Sequence, residues 1–145
     1  GVPIITDTTM AASGINKRAA SDHGIAVHCF IGDEDVKKRA ETEKMTRSAV
    51  SVEKAARLYP DCIYAVGNAP TALMRLYELI QEKKLCPRLI IGVPVGFVNV
   101  VEAKELILRA AVPCIVARGR KGGSNVAAAI CNALLYQTRK VERRL

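Results

Sequence analysis

Short apolar runs alternate with amphipathic stretches along the whole chain. Runs typical of buried strands lie at Val2 to Thr6, Ile25 to Ile31, Cys62 to Val66, Leu89 to Val95 and Cys114 to Ala117. Helical spacing predicts a helical turn within Met10 to Arg18 and helices from Asp33 or Glu34 to Lys44, Ala49 to Leu58, Ala69 or Pro70 onwards, Glu102 to Ala110 and Val126 to Tyr136. This alternation predicts an α/β fold, a three-layer sandwich with a mainly parallel sheet flanked by helices.

The stretch from Cys62 to Leu73 is the centre of this pattern. Its apolar half reads as a strand buried on both faces, and Gly67 permits a tight turn after it. Asn68 is a candidate cap for the next helix, and Pro70 suits that helix's first turn. A helix N-terminus at the carboxyl end of a parallel strand favours an anionic ligand. The stretch therefore predicts either an anion site or a βα turn without a ligand.

Right-handed crossovers would gather several polar turns along one edge of the sheet. That edge would collect Asp7, Thr9, Asn68, Thr71, Gly92 to Gly96 and the loop Arg118 to Ser124. No linker interrupts the pattern, so residues 1–145 are expected to form a single domain.

The loop Arg118 to Ser124 is basic, glycine-rich and opens a helix. It matches neither G-x-x-x-x-G-K-[ST] nor G-x-G-x-x-G, because Lys121 precedes the glycine pair. What remains is a generic anion cradle, with Gly122 and Gly123 bringing backbone N–H groups close and Arg118 and Arg120 able to bind a carboxylate. The alternative is a solvated basic turn.

Arg47 and the two histidines are the remaining candidates for a chemical role. Arg47 lies between two predicted helices beside Ser48, a possible cap, and is either a surface charge or a carboxylate clamp. His28 alternates within a strand, which indicates a structural role, and His23 has no evident orienting partner nearby in sequence. These residues do not identify a catalytic group.

The composition of the chain limits the classes of molecule that it is expected to bind. A net charge of +8 on 145 residues indicates an acidic partner, whereas only 4% aromatic residues argue against a base-stacking surface, so nucleic acid is the weaker hypothesis. No apolar stretch is long enough to span a bilayer, and no membrane partner is expected. The five cysteines are widely spaced and form no metal-ligand pattern, as expected of reduced thiols in a cytoplasmic protein. The basic tail Arg139 to Leu145 is expected to be solvated.

Three motifs together carry a family resemblance: G-N-A-P-T-A-L at Gly67 to Leu73, I-G-V-P-V-G-F-V at Ile91 to Val98, and G-R-K-G-G-S at Gly119 to Ser124. Other stretches of the chain agree with the pattern of the same family in their order: Asp7 to Met10, Thr46 to Ala49, and Glu102 with Lys104. Over essentially its whole length the chain resembles the precorrin-8X methylmutase family.

The resemblance implies an isomerase of cobalamin biosynthesis that moves a methyl group from C-11 to C-12 of precorrin-8X to give hydrogenobyrinate, or acts on the cobalt-containing precursor to give cobyrinate. It also implies an α/β homodimer without a separate cofactor and a polycarboxylate corrinoid substrate, which the positive charge suits. The residues expected to contact substrate are Thr9, Arg47, Ser48, Asn68, Thr71, Arg118 and Ser124.

One departure from the family affects the catalytic assignment. The family assigns proton transfer to a histidine in an N-terminal segment upstream of the part that matches Gly1, and this sequence does not contain that segment. We therefore expect a fragment rather than a shortened member, and assign the role to neither His23 nor His28. The alternatives are a non-catalytic corrinoid-binding carrier and a basic nucleic-acid-binding domain.

Overall fold

The computed structural model describes the backbone of residues 1–144 and the side chains of residues 1–137. The strands are β1 (Ile4–Thr6), β2 (Val27–Cys29), β3 (Ile63–Val66), β4 (Leu89–Gly92) and β5 (Cys114–Val116). The helices are α1 (Thr9–Gly14), α2 (Lys17–Asp22), α3 (Glu34–Glu43), α4 (Arg47–Leu58), α5 (Pro70–Gln81), α6 (Val100–Arg109) and α7 (Ser124–Arg144).

The strands form one parallel sheet in the order β2-β1-β3-β4-β5. At its centre Ile5 of β1 is opposite Tyr64 of β3, and Tyr64 is opposite Ile90 of β4. The chain winds outward to β2 on one side of β1 and to β4 and β5 on the other side of β3. The carboxyl ends of β1 and β3 therefore border the switch point at which ligands bind in open sheets of this kind.

Helices cover both faces of the sheet, because alternate strand residues point to opposite sides. Tyr64 and Val66 of β3 pack with α3, α4, α5 and α6, whereas Ala65 packs with α1, α2 and α7. The predicted three-layer α/β fold with a parallel sheet is confirmed.

Small residues bring α1 and α7 close together. A Cβ added at Gly14 would lie 2.7 Å from the Cβ of Ala128, so the helices could not approach this closely with a larger residue there. The side chain of Asn132 stabilises the contact between the two helices. Its Oδ1 accepts from the backbone N–H of Asn16, and its amide donates to the carbonyl of Gly14.

Several element boundaries differ from the sequence expectations. The second strand is confined to Val27–Cys29 of the apolar run, and the last two helices begin earlier, at Val100 and Ser124. Ser48 is not a cap, since the Thr46 hydroxyl caps α4 by accepting from the backbone N–H of Ala49 at 3.1 Å.

The predicted solvation of the tail Arg139 to Leu145 concerns side chains outside the described residues. Within the described part of the chain, no helix has both the length and the apolar character needed to cross a bilayer.

Candidate functional site

Asp7 occupies the switch point between β1 and β3. Its Oδ1 accepts from the N–H of Gly67 at 2.9 Å, and its Oδ2 accepts from the N–H groups of Asn68 at 2.9 Å and Ala69 at 2.8 Å. The chain's own carboxylate therefore already binds the N–H groups of the turn that leads into α5, up to its N-cap residue Ala69. Asn68 is not the cap, because α5 has Ala69 as its N-cap residue with no side-chain cap bond.

Two opposing effects act on the Asp7 carboxyl. Burial raises its pKa, and the hydrogen bonds from Gly67, Ala69 and Asn68 lower it, with burial the larger effect. Asp7 is only 1% exposed, so its carboxylate ties β1 to the β3–α5 turn without reaching solvent.

Ser124 joins this centre from the opposite end of the chain. Its hydroxyl lies 2.7 Å from that of Thr8, which caps α1 by accepting from the N–H of Ala11. Gly67 permits the approach, since a Cβ there would lie 2.5 Å from the Cα of Ser124. The N-terminal ends of α1, α5 and α7 consequently meet above β1 and β3.

The loop Arg118 to Ser124 is anchored on its inner side. The N–H of Gly123 donates to the Val93 carbonyl at 2.8 Å, and the N–H of Gly96 donates to the Arg120 carbonyl at 3.1 Å. Lys104 of α6 lies beneath the loop and donates to the carbonyls of Gly119 at 2.8 Å and Lys121 at 2.9 Å. The loop is thus a fixed part of the sheet edge.

The arginines expected to bind carboxylates differ in their availability. Arg118 is already paired, since its Nε and one terminal nitrogen each donate to Glu105 at 3.1 Å, and this pairing lowers the pKa of Glu105. The guanidinium carbon of Arg120 lies 5.5 Å from the ring centre of Phe97. Arg120 and the exposed Arg47 have no carboxylate partner among residues 1–137. Glu105 therefore occupies one side of the Arg118 guanidinium, and only the other terminal nitrogen side is left to bind a substrate carboxylate.

The other predicted contact residues lie at the same edge. The hydroxyl of Thr46 donates to that of Thr71 at 3.2 Å, which joins the first turns of α4 and α5. Arg47 and Ser48 follow in the first turn of α4. A groove of about 390 Å³ begins at this hydroxyl pair and runs between the two helices.

The structure brings the predicted residues together only in part. Ser124 and Asn68 belong to the cluster around Asp7, and Thr9 follows Thr8 at the exposed start of α1. Arg118 lies instead against α6 through Glu105. Whether these residues contact a substrate stays a prediction.

His28 is half-buried and packs against two aromatic rings. Its ring stacks on Tyr59 at 4.8 Å between centres and on Phe30 at 5.8 Å. This geometry agrees with the structural role that its position within a strand indicates.

Sequence reasoning missed the organising roles of Asp7 and Lys104. The signal for Lys104 was present, since this lysine falls on the apolar face of α6 between Val100 and Ile107. A charged residue on the apolar face of a helix needs a buried polar partner. For Lys104 this partner is a pair of loop carbonyls. Asp7 directly follows a buried strand, but only the strand order places it beside the start of α5.

Comparison with known proteins gives a consistent result. Residues 1–137 match the family described as precorrin-8X methylmutase (CbiC). The cobalt-precorrin-8 methylmutase of Salmonella typhimurium is 48% identical over 94% of this chain and 64% of its own length. That of Leptospira interrogans is 43% identical over 97% of this chain and 67% of its own. The precorrin-8X methylmutase of Pseudomonas aeruginosa is 39% identical over 92% and 65%.

A solved structure agrees with the sequence matches. The precorrin-8x methyl mutase from Thermus thermophilus superposes with a TM-score of 0.88 at 37% identity, covering 97% of this chain and 68% of that one. The chain spans about two thirds of the length of these relatives.

Proposed function

Because the chain belongs to the precorrin-8X methylmutase family, we propose that it acts as an isomerase of cobalamin biosynthesis, moving a methyl group from C-11 to C-12 of precorrin-8X or of cobalt-precorrin-8. The observation that carries the proposal is the family match over residues 1–137. The cationic edge of the sheet supports it, because such a substrate carries several carboxylates.

The chain's contribution to the reaction is positioning. Arg47 and Arg120, which no carboxylate among residues 1–137 neutralises, attract and orient the carboxylates of the macrocycle. Asn68 and Thr71 add neutral polar groups at this edge, where Ser124 is buried and bonded to the Thr8 hydroxyl. Asp7 is held by three backbone donors, so it shapes the edge rather than exchanging protons with the substrate. The proton-transfer group is not assigned.

Assembly and location are part of the same proposal. We expect a homodimer that binds the corrinoid without a separate cofactor, with no nucleic acid or membrane as partner. A cytoplasmic location fits the five cysteines, which are all free thiols. Sedimentation of the purified chain tests the dimer.

An absorbance time course tests the activity. The chain is mixed with precorrin-8X, and in parallel with cobalt-precorrin-8, at catalytic ratios. Because methyl migration changes the conjugation of the ring, we expect the spectrum of one substrate to convert to that of its product. Conversion makes His23 and His28 the next residues to substitute. No spectral change with either substrate, at any protein concentration, contradicts the proposal.

A bound spectrum without turnover favours the second candidate, a corrinoid-binding carrier. Fusing the histidine-bearing N-terminal segment of the family before Gly1 then separates the two functions. Activity that appears on fusion supports the isomerase, whereas unchanged binding with activity still absent supports the carrier.

Charge removal at the edge is expected to weaken corrinoid binding unequally. Arg47→Ala should cost roughly 1–3 kcal/mol of binding free energy, as expected for a lost charged hydrogen bond. Arg118→Ala should cost less, because Glu105 already neutralises this arginine. Fluorescence or absorbance titration measures both affinities.

Arg57→Ala is the matched control for the charge removed, since Arg57 is exposed in the last turn of the same helix as Arg47, at its opposite end. Equal affinities for Arg47→Ala and Arg57→Ala would remove Arg47 from the site.

A further inference from the structure

Lys104 is a buried cation whose two hydrogen-bond acceptors are neutral backbone carbonyls. Its side chain is 0% exposed, and its ammonium group donates to two backbone carbonyls, of Gly119 and Lys121. No carboxylate within residues 1–137 pairs with it. A buried charge is normally paired, because removing it from water is costly. The buried ammonium group of Lys104, directly beneath a surface loop, therefore needs a physical explanation.

Lys104 orients two of the loop's peptide groups, and a backbone hydrogen bond orients the peptide group between them. Lys104 binds the carbonyls of Gly119 and Lys121, and the N–H of Gly96 binds the carbonyl between them, that of Arg120. Three successive carbonyls are thus turned toward the protein. The backbone N–H groups of residues 119–122 have no acceptor within the described chain, and Gly123 is the next residue whose N–H is bonded.

Successive unpaired N–H groups form a concavity suited to an anion. The surrounding side chains also favour an anion, because Arg120 and Lys121 are exposed cations that no described carboxylate neutralises. Burial lowers the pKa of Lys104, as expected for an ammonium group whose charge is compensated only by carbonyl dipoles. An anion at the loop would supply the missing negative charge.

We propose that residues 119–122 bind one carboxylate through their backbone N–H groups, and that Lys104 is the positioning residue that turns the N–H groups of Arg120 and Gly122 outward. That the carboxylate belongs to the corrinoid rests on the proposed function; the anion site itself does not. The anion cradle expected from the sequence used the backbone N–H groups of Gly122 and Gly123. The donors proposed here are those of residues 119–122, because the N–H of Gly123 is bound to the Val93 carbonyl and Arg118 is engaged by Glu105.

Backbone amide chemical shifts of the ¹⁵N-labelled chain test the site directly. Succinate serves as a simple carboxylate probe and is added at constant ionic strength against sodium chloride. We expect saturable shifts of the amides of residues 119–122, larger than those of Gly67 to Ala69, whose N–H groups Asp7 already occupies. Amides of 119–122 that do not respond overturn the proposal without any variant.

Substitution of Lys104 tests its positioning role. Lys104→Met should weaken succinate binding by roughly tenfold or more, as expected when a charge and the loop geometry it holds are lost. Lys54→Met removes the same charge from a largely covered lysine that pairs with Asp33 and Asp35, and it should leave succinate binding unchanged. Lys104→Arg keeps the charge and should restore part of the affinity.

Equal weakening by Lys104→Met and Lys54→Met contradicts the positioning role, because net charge alone would then explain the effect. The pH profile adds a readout that a purely structural role would not move. Succinate affinity should fall at high pH as Lys104 loses its proton, and Lys104→Arg should move this loss to higher pH.

Failure of this site and failure of the proposed function give different results. Succinate shifts at 119–122 without any corrinoid binding leave the anion site in place and contradict the function. Corrinoid binding that leaves these amides unmoved supports the function and overturns the carboxylate site.

Discussion

Asp7→Ala is expected to lower the free energy of unfolding by roughly 2–4 kcal/mol, since it leaves the N–H groups of Gly67 and Ala69 buried without an acceptor and each such group costs about 1–3 kcal/mol. The loss is offset in part because the variant no longer buries a carboxylate, whose cost is evident in the raised pKa of Asp7. Urea denaturation followed by circular dichroism measures the change.

A surface carboxylate provides the control. Asp61→Ala removes an exposed ion pair with Arg88, in which both side chains are more than half exposed, so it should cost at most about 1 kcal/mol. If Asp7→Ala is no more destabilising than Asp61→Ala, the three hydrogen bonds do not hold the β3–α5 turn.

The pH dependence of the Asp7 contribution has a definite sign. A carboxyl whose folded pKa is raised binds more protons in the folded state, so its contribution to stability is complete below the unfolded value near 3.8 and is lost as pH rises through the folded pKa. The stability advantage of the wild type over Asp7→Asn should therefore grow as pH falls toward 3.8. An advantage that shrinks on acidification would show that the N–H bonds outweigh burial.

The layers of the fold could be predicted because two signals in the sequence agree, the local preference of each segment for strand or helix and its pattern of buried positions. The strand from Ile63 to Val66 is apolar without interruption, as a strand covered on both faces must be, and the helix after it keeps Leu73 and Leu76 at core spacing. Gly67 permits the turn between them, and Pro70 fixes the backbone at the start of the helix. Local preference and tertiary packing therefore favour the same structure along this stretch.

The organisation of the site could not be read in the same way, since it depends on partners distant in sequence. The Asp7 carboxylate is 60 residues from Gly67, and the Thr8 hydroxyl is 116 residues from that of Ser124. Sequence reasoning placed these segments on one edge but could not show that Asp7 occupies the N-terminus of α5. The same limit explains Arg118, whose partner Glu105 lies on the preceding helix.

Gly122→Ala is expected to displace the loop Arg118 to Ser124 and to abolish measurable succinate binding at residues 119–122. A Cβ at Gly122 would lie 2.0 Å from the carbonyl oxygen of Val93 and 2.7 Å from its carbonyl carbon. Both are backbone atoms of a residue that is 0% exposed, so they cannot rotate away as a flexible side chain would. The loop must move outward, and it then loses the bond from Gly123 to Val93 and the contacts with Lys104.

Two alanine variants separate this clash from the general effect of replacing a glycine. A Cβ at Gly119 would lie within 4 Å of no other atom, but the φ of +91° is unfavourable for alanine. Gly119→Ala therefore measures the effect of backbone strain alone within the same loop. Gly32→Ala meets no atom within 4 Å and should behave as the wild type. We expect Gly122→Ala to lower the free energy of unfolding by about 1–3 kcal/mol, as overpacking does. Wild-type stability and succinate binding in Gly122→Ala would show that the loop does not need its close contact with Val93, and that Lys104 alone maintains its shape.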